Sequence, residues 1–207
     1  MPSISYAITA CNEHVELERL LDQLNKHLRP EDEIILQLDS GATKEVEKVA
    51  VKYNISTDYE YHRVWYPLNN DFAAFKNHLK SICSRDYIFQ IDADEFLSEE
   101  LMEYMPGILE ANPDVEMFSV PRVNTVEGLT EAHIKQWGWY VNQDGWVNYP
   151  DYQNRILKNK PEIHWVNKVH EKIIGAMVTC PLPEGFDLYH FKTIEKQEKQ
   201  NNYYNTI

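Results

Sequence analysis

The chain has 207 residues, 43% apolar and 12% aromatic, enough to bury a proper core and too apolar for a disordered chain. Its formal net charge of −13 excludes broad, salt-driven nucleic-acid binding, which relies on clustered Lys and Arg. No apolar run approaches the ~20 residues of a membrane span, Met1 to Tyr6 has no signal-peptide shape, and Cys11, Cys83 and Cys180 form neither a disulfide framework nor a zinc pattern, so a reducing cytoplasm is expected.

Ile4 to Thr9 reads as a first strand, followed by a helix from Glu13 to Leu28 with Leu17, Leu20, Leu21, Leu24 and Leu28 on one face. Glu33 to Leu38 is a second strand, closed by Asp39-Ser40-Gly41-Ala42-Thr43, and Thr43 can cap a helix reaching about Tyr53. Tyr59 to Trp65 follows as a third strand. Phe72, Phe75, Leu79 and Ile82 then mark a helix before a buried strand at Tyr87-Ile88-Phe89-Gln90-Ile91. This alternation predicts an α/β fold with a mostly parallel central sheet flanked by helices. A helix from Glu99 to about Ala111, a strand from Val115 to Val123, and an aromatic, loop-rich stretch around Trp137, Trp139, Trp146 and Trp165 complete the reading. One domain is expected over 1–207.

Asp92-Ala93-Asp94-Glu95 places two carboxylates at a strand's C-terminal end, where open α/β sheets bind ligands. In an extended backbone Asp92 and Asp94 share a side, and two hard oxygen donors suit Mg²⁺ or Mn²⁺ carrying a diphosphate. A solvated acidic turn before a helix at Ser98 is the plain alternative. Charge is uneven: the stretch after Arg85 is acidic, whereas Arg155, Lys158, Lys160, Lys168 and Lys172 face only Glu162 and Glu171 in the segment 152–175. That segment could meet an anionic ligand.

Four segments, in order, resemble family 2 glycosyltransferases with the GT-A (Rossmann-like) fold. They are Ile8-Thr9-Ala10-Cys11-Asn12-Glu13, Glu33 to Thr43, Asp71-Phe72-Ala73-Ala74-Phe75-Lys76-Asn77, and Ile91-Asp92-Ala93-Asp94-Glu95, the last similar to the family's DxD motif. Tyr152 to Leu157, Val169-His170-Glu171 and Leu188-Tyr189-His190-Phe191 resemble the branch containing lipopolysaccharide-core sugar transferases. Lys76 stands where Arg is commoner, Ala42 replaces Ser, and no Glu-Asp base motif is present.

The resemblance implies a transferase moving a sugar from a nucleotide diphospho-sugar, UDP-linked by expectation, to an acceptor hydroxyl with inversion. Residues 1–97 would hold the donor, and 98–207, with a C-terminal helix, the acceptor. Asp94 is expected to ligate Mn²⁺ or Mg²⁺, with Asp92 nearer the ribose or a metal-bound water and His190 closing the coordination. Thr9, Asn12, Asp39, Lys76, Asn77 and Arg155 are expected at the donor. Asn12 could equally cap the first helix, Asp39 make a turn, and Arg155 pair with an acid. Inversion needs a carboxylate base; Glu171 is the candidate, ahead of Asp144 and Asp151, unless it only pairs with Lys168 or Lys172. The acceptor is a surface glycan, a small molecule, a protein or, if the chain is phage-encoded and works in a host cytoplasm, a modified nucleobase. A nucleotidyltransferase and a non-catalytic nucleotide-sugar-binding module are the other readings.

Overall fold

The first strand, β1 (Ile4–Ala10), alternates Ile4, Tyr6, Ile8 and Ala10 on one face with Ser5 and Ala7 on the other, and all six are buried. Burial on both faces is the mark of a central strand covered by helices on each side. The covering elements are set by their own apolar stripes. In α1 (His14–His27), Leu17, Leu20, Leu21 and Leu24 pack against the Ile4–Ile8 face, whereas α3 (Phe72–Ile82) brings Ala73 and Leu79 to the Ala7 face. Asp71 caps α3, accepting from the Ala74 amide at 2.9 Å.

The structure is a computed structural model that describes residues 1–56 and 60–204, with side chains described except at 54–56 and 202–204. β2 (Glu33–Asp39), α2 (Lys44–Ser56) and β3 (Glu60–Tyr66) follow the expected order; Tyr59, the anticipated start of the third strand, lies outside the described residues. β4 (Tyr87–Asp92), β5 (Glu95–Leu97), α4 (Glu99–Ala111) and β6 (Met117–Val120) come next, then β7 (Arg122–Glu127), α5 (Glu131–Trp137), β8 (Gln153–Lys158) and β9 (His164–Val166). β10 (Lys172–Ile174), β11 (Thr179–Pro181), β12 (Leu188–Thr193) and α6 (Ile194–Tyr204) complete the chain.

The main sheet runs β11-β6-β8-β4-β1-β2-β3, parallel except where β8 lies antiparallel to β4 and β6. From β1 the chain winds outward to β2 and β3, then returns to place β4 on β1's other side. That reversal makes a switch point between β1 and β4, with a crevice at their carboxyl ends. A second sheet, β5-β12-β7, stands beside it. Here one expectation is corrected: Val115–Val123 is not one strand. Pro121, which has no amide hydrogen to donate, separates β6 in the main sheet from β7 in the second. The stretch between Trp137 and Trp165 is loop-rich but contributes β8 to the main sheet. Among the described residues no helix is long and apolar enough to cross a membrane.

Candidate active site

β1 and β4 run in register so that Thr9 lies opposite Asp92. β4 ends at Asp92, the Ala93 amide donates to the Thr9 carbonyl at 3.0 Å, and the chain reverses through Asp94 into β5. Both acids therefore reach the switch-point crevice, a cavity of about 610 Å³. Thr9, Asp39, Lys76, Arg155, Glu171 and His190 line it with them. These positions come from six separate elements or loops. Parallel strands deliver the carboxyl ends bearing Thr9 and Asp39 to one edge, and α3, antiparallel β8, the loop before β10 and β12 of the second sheet bring the others to it.

The two aspartates have different surroundings. Asp92 accepts from Thr9 Oγ1 (3.0 Å) and Gln90 Nε2 (2.9 Å) on one oxygen and from Arg155 Nη2 (2.7 Å) on the other. Burial opposes its charge, but Arg155, Lys76 and the Gln90 hydrogen bond outweigh burial and hold the carboxyl well below the usual range. Arg155 is itself buried, 5% exposed, and also bonds Gln90 and Glu95. It thus pairs with acids, the alternative left open for it, while still lining the crevice.

Asp94 faces His190, with Oδ2 3.4 Å from Nε2. Burial again opposes ionisation, and His190 together with Lys192 overcomes it, keeping Asp94 below the ordinary carboxylate range. Two ligands of one octahedral cation at right angles stand about 3 Å apart, so this pair fits adjacent coordination positions. Asp92 does not converge with them: among the described residues the group of three candidate ligand atoms mutually within 4.8 Å is Glu33, Glu60 and His62. Those sit at the opposite, amino edge of the sheet, where Arg85 already bridges Glu33 and Glu60.

Across the crevice, Lys76 Nζ and Glu171 Oε1 form an ion pair at 2.6 Å, both largely buried. Glu171's partner is thus neither Lys168 nor Lys172. Asp39 accepts from the Leu68 amide at 2.9 Å, which ties the crevice wall to the loop after β3.

Two anticipated donor residues lie elsewhere. Asn12 is not part of the crevice lining, and the first helix is capped by Glu13 without a side-chain bond, so Asn12 fills neither expected place. Asn77 donates to the Trp165 carbonyl (2.8 Å) and accepts from its amide (2.9 Å), pinning α3 to β9. Asn77→Ala is expected to lower stability by about 1–3 kcal/mol, read by urea denaturation, because it leaves both Trp165 backbone groups unpaired; an unchanged midpoint would show the clasp to be dispensable. Asp144 stands outside the crevice. Asp151 adjoins it, engaged by Arg122 (2.7 Å), Asn124 (2.9 Å) and Gln153 (2.9 Å). Among the tryptophans, Trp165 is buried and Trp137 packs on Trp139 with ring centroids 4.6 Å apart. The basic segment is dispersed: Arg155 is inside, Lys160 pairs with Glu116 and Lys158 bonds the Pro113 carbonyl.

Lys192, Arg122, Glu95 and Asn124 were not singled out. Lys192 was findable, since two residues after His190 on a strand it shares that histidine's side. Its ammonium, pushed down by burial and partly restored by Asp94, reaches the crevice and donates to Gln200 Oε1 at 2.5 Å.

An open α/β sheet, mostly parallel and flanked by helices, with an acid pair at its switch point is the architecture of the GT-A fold. The Glycosyl transferase family 2 model matches residues 5–170, and the chain belongs to that family. The fold is similar to Staphylococcus aureus TarS 1-349 in complex with UDP-GlcNAc, at TM-score 0.60 and 13% identity over 93% of this chain and 59% of that one. It is also similar to the mannosyltransferase PcManGT from Pyrobaculum calidifontis in complex with GDP-Man and Mn²⁺, at TM-score 0.52 and 17% identity over 58% of this chain and 36% of that one. The chain thus spans about three-fifths of the TarS 1-349 structure.

Proposed function

We propose that this chain is a glycosyltransferase that moves a sugar from a nucleotide diphospho-sugar, UDP-linked, to an acceptor hydroxyl with inversion, using Mn²⁺ or Mg²⁺. One observation carries the reading: Asp94 and His190 present an oxygen and a nitrogen 3.4 Å apart in a crevice also lined by Lys76 and Lys192. When bound, the cation offsets the negative charge that develops on the departing diphosphate. Lys192 adds a second positive charge at the same wall. Asp92, its oxygens occupied by Thr9, Gln90 and Arg155, orients the β4 end rather than lending an open ligand position. Thr9 and Asp39 line the nucleoside side.

Glu171 is the base. Its pairing with Lys76 holds the carboxylate aimed into the crevice, where it takes the acceptor proton as the new bond forms. Glu171→Gln is expected to leave donor affinity within about twofold and to cut kcat by about 10²–10⁴. Steady-state kinetics alongside donor titration measures both, and wild-type kcat discards the assignment.

The acceptor belongs in the half from residue 98 on. The dispersed lysines offer no track for DNA, which favours a surface glycan such as lipopolysaccharide over a nucleobase. Three free cysteines agree with a reducing cytoplasm. The donor is tested by thermal shift against nucleotide diphosphates with and without Mn²⁺. At a hundredfold excess over Kd, binding adds about 2.7 kcal/mol, a rise of roughly 5–10 °C for a chain this size. UDP with Mn²⁺ should give the largest rise; no rise with any diphosphate sinks the proposal.

A further inference from the structure

β12 lies between β5 and β7, and its register places His190 opposite Glu95 on one side and Asn124 on the other. Side chains around it close a ring of polar contacts that starts at one aspartate of the pair and ends at the other. Asp92 takes Arg155, Arg155 reaches Glu95, Arg122 joins Glu95 (3.3 Å) to Asp151, Asn124 links Asp151 to His190, and His190 faces Asp94.

The donors and acceptors in this ring have forced directions. Arg122 can only donate, and the Asp151 carboxylate, held below the ordinary range against burial by Arg122, can only accept. Asn124 must therefore turn its NH₂ to Asp151, at 2.9 Å, and its carbonyl oxygen to His190 Nδ1, also at 2.9 Å. An amide oxygen is no donor, so Nδ1 must carry a hydrogen. When the ring carries both hydrogens, Nε2 donates toward Asp94. When a cation displaces one of them it is the Nε2 hydrogen that leaves, so the lone pair of the neutral imidazole lies on the atom facing Asp94.

We infer that Asn124, itself held by Asp151, is a positioning residue that locks His190 in the Nδ1–H tautomer, so that Nε2 is presented with Asp94 as a ready-made cation-binding pair. This deepens the glycosyltransferase reading and rests on its cation. Asn124 touches neither donor nor cation; it acts through the histidine, as outer partners of ligating histidines do.

Two measurements test it. Long-range ¹H–¹⁵N spectra of ¹⁵N-histidine protein, at a pH where imidazoles are neutral and with His190 assigned by its loss in His190→Gln, should show a protonated Nδ1 and a bare Nε2. The opposite tautomer overturns the lock, and the tautomer itself is read on wild-type protein, the variant serving only to assign the signal. Mn²⁺ affinity read by electron paramagnetic resonance should fall about 10- to 100-fold in Asn124→Leu. It should fall no further when Asn124→Leu is added to His190→Gln, a pattern that general loosening of β7 would not give. Unchanged affinity in Asn124→Leu, or full additivity with His190→Gln, overturns the positioning role. Wild-type protein that binds no Mn²⁺, with or without UDP, overturns the cation reading instead, and the spectra still decide the tautomer.

Discussion

Asp94→Asn is expected to abolish sugar transfer, by a factor of 10³ or more, while the protein keeps its fold. The substitution swaps one carboxylate oxygen for an NH₂ of nearly the same shape and removes the charge facing His190 Nε2. A neutral amide is a far weaker partner for a hard divalent cation, and without that ion the diphosphate's developing charge is met only by Lys76 and Lys192. A loss of 10³ corresponds to about 4 kcal/mol of transition-state stabilisation. Stability should fall only modestly: the favourable His190 and Lys192 interactions outweigh burial of Asp94's charge, so neutralising it loses the difference between the two. The check is donor turnover at saturating Mn²⁺ with a melting curve from the same sample. Wild-type turnover there refutes the cation role, and a collapsed melting curve would move Asp94 from chemistry to structure.

Arg155→Met should do the reverse, striking the fold before the chemistry. Arg155 is the positive centre of a buried cluster, bonded to Gln90, Asp92 and Glu95. Methionine fills similar volume, but it takes the nearest counter-charge from both Asp92 and Glu95, leaving Glu95 only Arg122 at 3.3 Å. Removing one partner of a buried ion pair costs about 3–5 kcal/mol, a large share of a typical domain's stability. The pH dependence should flatten. In the wild type Asp92's carboxyl lies below its unfolded value, so its ion pair contributes stability above about pH 4 and loses it as pH falls through the folded value. In Arg155→Met burial acts on Asp92 against Lys76 and the Gln90 hydrogen bond alone, so the folded carboxyl rises and acidification from pH 5 to 3 should cost the variant less than it costs the wild type. Urea melts at pH 7, 5 and 3 settle this. A variant within about 1 kcal/mol of wild type at pH 7, or one that weakens on acidification as much as the wild type does, would show that Arg155 does not hold the cluster together.

The first hundred residues were readable because a strand–helix–strand unit is local. Period, cap and turn lie within some thirty residues, and parallel pairing then commits each strand's carboxyl end to one edge. Thr9, Asp39, Lys76, Asp92 and Asp94 all sit at such ends or at the helix starts just beyond, which is why their motifs sufficed to bring them to one crevice. Asn77 shows where a motif stops informing. One residue on from Lys76 is a rotation of about 100° around the helix, so with Lys76 toward the crevice Asn77 meets β9 instead. The break at Pro121 was visible as a residue, yet only the second sheet explains why the chain leaves one layer for another there.

From its order of residues alone, this chain determined an α/β sheet, its winding, and an acid pair at the carboxyl edge, since all three follow from short-range periodicity and strand direction. Folding in three dimensions decided which acid would be free. β5, β7 and β12 are short strands far apart in sequence, and their register, with that of β8 on β4, sets Arg122 and Arg155 against Glu95 while turning Asn124 toward His190. No local pattern encodes those meetings, because charge pairing across such separations depends on which strands end up as neighbours.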